Sequence, residues 1–137
     1  MLVLTAVLAF GVLGVGVLAA FGGSEEPAPE PQPAEPVDRE YVLEAFLDGY
    51  VGLEGEIEGE INPVLTASAG ETVRITIINN EAMRHDVVME EHGASSEIVT
   101  GPDAETSVTF VAETDDVYYC SVPGHRAAGM EGEFRLE

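Results

Sequence analysis

Positive charge is scarce in this 137-residue chain. Lysine is absent, and five Arg stand against 26 Asp and Glu, for a net charge of −21. That balance excludes nucleic acid and an anionic lipid surface as partners, because both repel such a chain. Acidity this dense resembles the surface of a protein from a very salty medium, where 1 M salt screens charge over about 3 Å. Cysteine is nearly absent too. Cys120 stands alone, so no intramolecular disulfide forms. A single thiol in an exported chain is either buried and inert or chemically employed. Histidine occurs three times, at His85, His92 and His125. No internal repeat is present, and no long helical periodicity follows residue 40.

The charge that exists is unevenly placed, since none of it falls in the first 24 residues. Residues 1–21 are almost all Leu, Val, Ala and Gly. As a helix this run reaches roughly 30 Å, enough for a bilayer. It predicts a transmembrane anchor, with a cleaved signal segment as the alternative. No basic residue flanks it, so positive-inside counting gives no orientation. The rest of the chain is expected on the extracellular or periplasmic side, because it follows an export-type segment. Residues 22–40 form a linker, whose 24–40 stretch holds five Pro and five Glu. This composition favours an extended, self-repelling tether of roughly 50 Å.

Residues 41–137 read as the folded domain, because apolar and polar residues alternate there. Strands are expected over 42–48, 64–67, 72–78, 86–89, 95–100, 106–112, 116–120 and 132–136, with Gly49 and Gly52 as breakers. Within 72–78, Val73, Ile75 and Ile77 point one way and Arg74 and Thr76 the other. Short strands at this spacing predict an all-β Greek-key β-sandwich.

The stretch from Cys120 to Met130 places a thiolate, an imidazole (His125) and a thioether five residues apart each time. With His85 upstream, these types make up the ligand set of a blue-copper electron-transfer site: one Cys, two His and a weak axial Met. Singly, each residue has a plainer role. His85 could be a surface residue at a strand end, His125 a loop histidine and Met130 core packing. Zinc competes as the metal, but thioether is a rare zinc ligand. His92, in the polar turn Glu90–Gly93, is expected not to ligate. Met83 is expected on the rim over His85, and Met89 in the core.

The domain resembles the cupredoxins, small blue-copper proteins. Asn79-Asn80 ahead of His85 is similar to the first-ligand region of plastocyanin-like proteins. Asn62–Ala67 followed by Gly70–Val73 is similar to the strand and turn before it. Tyr118-Tyr119-Cys120 through His125 to Gly129-Met130 and Gly132 resembles the ligand loop of rusticyanins and sulfocyanins. The acidity and anchor are similar to those of halocyanins. The resemblance implies His85, Cys120, His125 and Met130 as ligands of one type 1 copper. It also implies that the Asp86 N–H donates to the Cys120 sulfur and that the Asp86 side chain ties to the Ser121 region. Many cupredoxins carry Asn at that position, and a carboxylate there is expected to lower the potential by favouring Cu(II).

The function expected is one-electron transfer with redox protein partners at a membrane: a terminal oxidase, a quinol-oxidising complex or a reductase. His125 is the expected exit, framed by Met83, Val122, Pro123, Ala127 and Ala128, a small apolar patch suited to brief docking. Arg84 and Arg126, beside two ligands, either meet an acidic partner rim or balance local charge. A copper nitrite reductase or multicopper oxidase resembles this fold, but needs a second copper centre and more His. A binuclear-copper oxidase subunit needs two Cys. A mononuclear subunit of an oxidase or reductase complex stays open, as does a copper chaperone or store.

Overall fold

The structure is a computed structural model and describes residues 36–137. The anchor expected over 1–21 and the linker up to residue 35 lie outside the described residues. Within them, no helix is long and apolar enough to cross a membrane.

Eleven strands follow one another: β1 (Arg39–Phe46), β2 (Gly49–Gly52), β3 (Leu65–Ala67), β4 (Thr72–Asn79), β5 (Arg84–His85), β6 (Val88–Met89), β7 (Ala94–Ser95), β8 (Val99–Thr100), β9 (Glu105–Val111), β10 (Asp116–Tyr119) and β11 (Glu131–Leu136). One sheet runs β2-β1-β4-β9, a second β3-β11-β10-β6-β7, and β5 pairs with β8 as a separate ribbon. β1 lies parallel to β4, and β11 parallel to β3. The chain crosses directly between the two sheets after β2, β3 and β9, and by way of the β5–β8 ribbon between β4 and β6 and between β7 and β9. Such crossings bring residues far apart in sequence to one place.

Alternation explains the packing. Val73, Ile75 and Ile77 are fully buried while Arg74 stays at the surface; Thr76 is also buried, because β4 lies inside its sheet between β1 and β9. From the other sheet come Leu65, Ala67, Met89, Tyr118 and Phe134, in the same apolar cluster. Each large apolar side chain so buried contributes about 1.5–3 kcal/mol.

Three local expectations are corrected. Gly49 and Gly52 do not break the chain; they begin and end β2, in an antiparallel hairpin with β1. The Ile57 carbonyl oxygen lies 2.0 Å from where a Gly52 Cβ would be, so a side chain there is excluded. The single strand expected over 95–100 is two, because β7 pairs with β6 and β8 with β5. The strand expected over 86–89 is shorter than expected, with only β6 (Val88–Met89) in it. His85 lies in β5, and pairing resumes only at Val88.

Candidate metal centre

β10 and β11 form the antiparallel pair whose connection carries three of the four expected ligands. The pairing continues past β10, with the Cys120 N–H donating to the Met130 carbonyl (3.2 Å). Between them a single helical turn, α1 (His125–Ala128), follows Pro123 and Gly124. The His125 N–H donates to the Val122 carbonyl and the Met130 N–H to the His125 carbonyl, each at 3.1 Å. The loop thus folds back on itself and holds its donors inward. Gly129 has φ +125°, and a Cβ on it would lie 2.6 Å from the Asp48 carbonyl oxygen. Backbone angle and space both require glycine there.

Four residues outside the loop, none of them expected in that role, brace the site. The Asn62 side-chain N–H donates to the Gly129 carbonyl (2.8 Å), and its oxygen accepts from the Tyr50 N–H (2.9 Å). The buried Tyr50 hydroxyl donates to the Asp86 carbonyl (2.6 Å). Burial pushes that hydroxyl well above its ordinary pKa, so it remains a donor. Asn79, fully buried, donates to the Met83 carbonyl (2.6 Å) and accepts from the Glu81 N–H (3.0 Å), which fixes the turn before His85. Tyr118 donates to the Pro63 carbonyl (2.6 Å) from beneath the loop. Polar residues on other strands give no periodic signal that they converge here. Asn62, Asn79 and Tyr118 fall in stretches that carried the family resemblance, though without a bracing role; nothing marked Tyr50.

The structure brings His85, Cys120 and His125 together, all buried. Cys120 Sγ lies 4.0 Å from His85 Nδ1 and 3.6 Å from His125 Nδ1, and the two Nδ1 atoms are 3.3 Å apart. A point equidistant from all three lies about 2.1 Å from each, the length of a transition-metal bond to imidazole or thiolate. The donor set therefore fits one metal ion. Met130 is fully buried on the same loop.

Burial acts on the two donor types in opposite senses. Burial raises the Cys120 pKa, while the backbone N–H groups of Asp86 and Val122 donate toward the sulfur and pull it down. Burial and the neighbouring His125 lower the His85 pKa, against a smaller opposing effect of Glu81. A neutral imidazole keeps its lone pair for a metal. Asp86 is 2% exposed; its carboxylate accepts from the Ser121 N–H (2.7 Å) and from the Ser121 hydroxyl.

In the ligand loop Pro123, Ala127 and Ala128 are exposed, and Met83, in the turn before His85, is 41% exposed. Val122, expected on this rim, is instead buried in the core cluster. Met89 is a core residue. His92 lies outside the donor cluster. Its turn is less polar than expected: the ring packs against Phe110 and Phe134, which also touch each other, and pairs with Asp116 at 2.5 Å. Arg126 stacks on Tyr119, 4.1 Å from the ring centroid, and pairs with Glu90 and Glu131 of its own chain.

Comparison with known proteins gives the same picture. No curated protein sequence matches the chain. Among solved structures, auracyanin B aligns at 18% identity over 77% of this chain and 93% of its own, with a TM-score of 0.57. Rusticyanin from Thiobacillus ferrooxidans aligns at 24% over 72% and 76%, with a TM-score of 0.55. Auracyanin A from Chloroflexus aurantiacus aligns at 22% over 72% and 98%, with a TM-score of 0.51. At these identities the likeness is one of fold. Residues 62–137 match the family model for copper-binding proteins of the plastocyanin/azurin family. The chain thus belongs to that family: it is a cupredoxin, and its cofactor is a single type 1 copper at His85, Cys120 and His125.

Proposed function

We propose that this cupredoxin is a one-electron carrier serving redox proteins at a membrane, with Met130 as the axial ligand. The observation that carries this reading is the compact triangle of His85, Cys120 and His125 donors, buried and braced by hydrogen bonds from four other segments. Bound copper supplies a one-electron couple. The protein's part is to hold the donors in one arrangement and exclude water. Asn62 anchors Gly129, Tyr50 anchors Asp86, and Asp86 anchors Ser121, so little reorganises when charge changes. His125 shares its loop with the exposed Pro123, Ala127 and Ala128, which offer a partner surface a place to dock. The apolar segment over 1–21 and the Pro/Glu-rich stretch after it support a tethered domain on the extracellular or periplasmic side. Partners such as a terminal oxidase, a quinol-oxidising complex or a reductase fit this placement.

Catalysis is disfavoured by the residues present. Tyr119 and Ser121 flank Cys120, and His92, the third histidine, is engaged by Asp116. A store or chaperone that releases Cu(I) calls for a more open site than buried donors on a braced loop. Stable membership of a larger oxidase or reductase complex is compatible with the same site.

The test is the visible spectrum of the full chain loaded with Cu(II) in high salt, repeated with Cys120→Ala. We expect an intense thiolate-to-copper band that bleaches on reduction and is absent from the variant. Folded, metal-loaded protein without that band would remove the carrier reading and advance zinc or storage.

A further inference from the structure

The inward Nδ1 of His85 has a counterpart on the outer edge of the ring. A neutral imidazole that gives its Nδ1 lone pair to a metal carries its proton on Nε2, and that proton ordinarily has a partner. Here His85 is fully buried, and its Nε2 is the one buried side-chain nitrogen or oxygen, among the described residues, without a hydrogen-bond partner. Such an atom calls for an explanation, because an unpaired buried donor costs about 1–3 kcal/mol.

A carboxylate stands next to it. Glu81 Oε2 is 3.8 Å from His85 Nε2. That gap is longer than a hydrogen bond and too short for a bridging water, so a direct contact needs a closure of about 1 Å. Glu81 is held in place for it. Its Oε1 accepts from the Leu47 N–H (2.9 Å), and its own N–H donates to Asn79 Oδ1 (3.0 Å). Asn79 in turn holds the Met83 carbonyl, and the Asn80 N–H donates to the Ala45 carbonyl (3.3 Å). The turn before His85 thus fastens a negative charge beside the outer edge of a ligand ring.

We propose that Glu81 is a positioning residue of the copper centre, its carboxylate accepting the hydrogen bond of His85 Nε2–H. The contact selects the tautomer whose Nδ1 lone pair faces Cys120 and His125, and keeps the ring from turning. It also makes the imidazole a stronger donor and so favours Cu(II) over Cu(I), which lowers the reduction potential. This rests on copper occupying the His85, Cys120 and His125 site.

The test uses the full chain and Glu81→Gln, which keeps an oxygen for the Leu47 N–H and removes the charge. Glu97→Gln, on the exposed link between β7 and β8, removes the same charge elsewhere. In metal-free protein, nitrogen NMR of the His85 ring is expected to show the Nε2–H form dominant in the wild type. In Glu81→Gln the Nδ1–H population is expected to grow. In copper-loaded protein, Glu81→Gln is expected to raise the reduction potential and weaken Cu(II) binding roughly ten-fold or more. Glu97→Gln is expected to change none of these. Wild-type tautomer, potential and affinity in Glu81→Gln would overturn the proposal, as would equal shifts in both variants. If the wild type shows no thiolate-to-copper band, the copper-carrier reading fails, and the metal-free tautomer measurement still decides the Glu81 contact. Should Glu81→Gln not fold, Glu81→Asp retains the charge but withdraws it from the ring, and the same NMR change is expected.

Discussion

Asp86 joins the two halves of the metal centre at the level of a single side chain. It follows His85, its carbonyl takes the Tyr50 hydroxyl, and its carboxylate takes two donors from Ser121, next to Cys120. Replacing it by Asn keeps the shape and one acceptor but removes the charge. We expect Asp86→Asn to raise the reduction potential in a mediated redox titration; an unchanged potential would leave Asp86 a purely structural tie. Asp116 does comparable work away from the metal. Burial pushes its carboxyl up, but the N–H groups of Glu91, Val117 and His92, with the His92 ring, outweigh this and hold it below its ordinary pKa. A carboxyl whose pKa is depressed by folding stabilises the fold above its unfolded value, about 3.9, and loses that contribution as pH falls through the folded value. Asp116→Asn should therefore cost about 2 kcal/mol at pH 7. In urea titrations of metal-free protein, its difference from the wild type should shrink below about pH 4.

The β10–β11 pair is the element on which the site depends, since it holds Cys120 and Met130 opposite each other at its loop end. Its tightest point is Gly132, which pairs with Tyr118 across the ladder. A Cβ on Gly132 would lie 2.1 Å from Cζ of the buried Tyr118 ring, whose hydroxyl is fixed on Pro63. We expect Gly132→Ala to destabilise the protein by about 1–3 kcal/mol through overpacking, read as a lower thermal midpoint. Copper loss on challenge with a chelator should also quicken. A variant as stable as the wild type would show that the ring can shift freely. Strands with clear alternation, such as β4 and β9, were legible in the sequence. β2 was not, because its glycines read as breakers when no packing partner is in view. Nor was the division into β7 and β8, because two-residue strands in different sheets leave no period to detect. A single helical turn at His125 is equally short.

Charge belongs to the whole molecule. Among the described residues, four of the five Arg form ion pairs: Arg39 with Glu71 and Glu137, Arg74 with Glu40, Arg126 with Glu90 and Glu131, and Arg135 with Glu133. Exposed pairs of this kind contribute about 0–1 kcal/mol each, whereas the excess of acid repels itself throughout. Raising NaCl from 0.1 to 2 M, by roughly twenty-fold, shrinks the screening length several-fold. The thermal midpoint should therefore rise with NaCl; a fall would mean that the few local pairs dominate. The chain alone told which chemistry was possible, because residue types are counted without coordinates. One thiol, three imidazoles and a loop returning a thioether admit one metal centre of this kind, and alternation around them implies a sheet fold. Folding brought the rest into view, because sheet crossings join residues that no spacing connects. They set His85 beside a loop 35 positions later, turned His92 inward to Asp116 and buried Val122, while the local turn before His85, held on Asn79 and Leu47, left the carboxylate of Glu81 at the outer edge of a ligand ring.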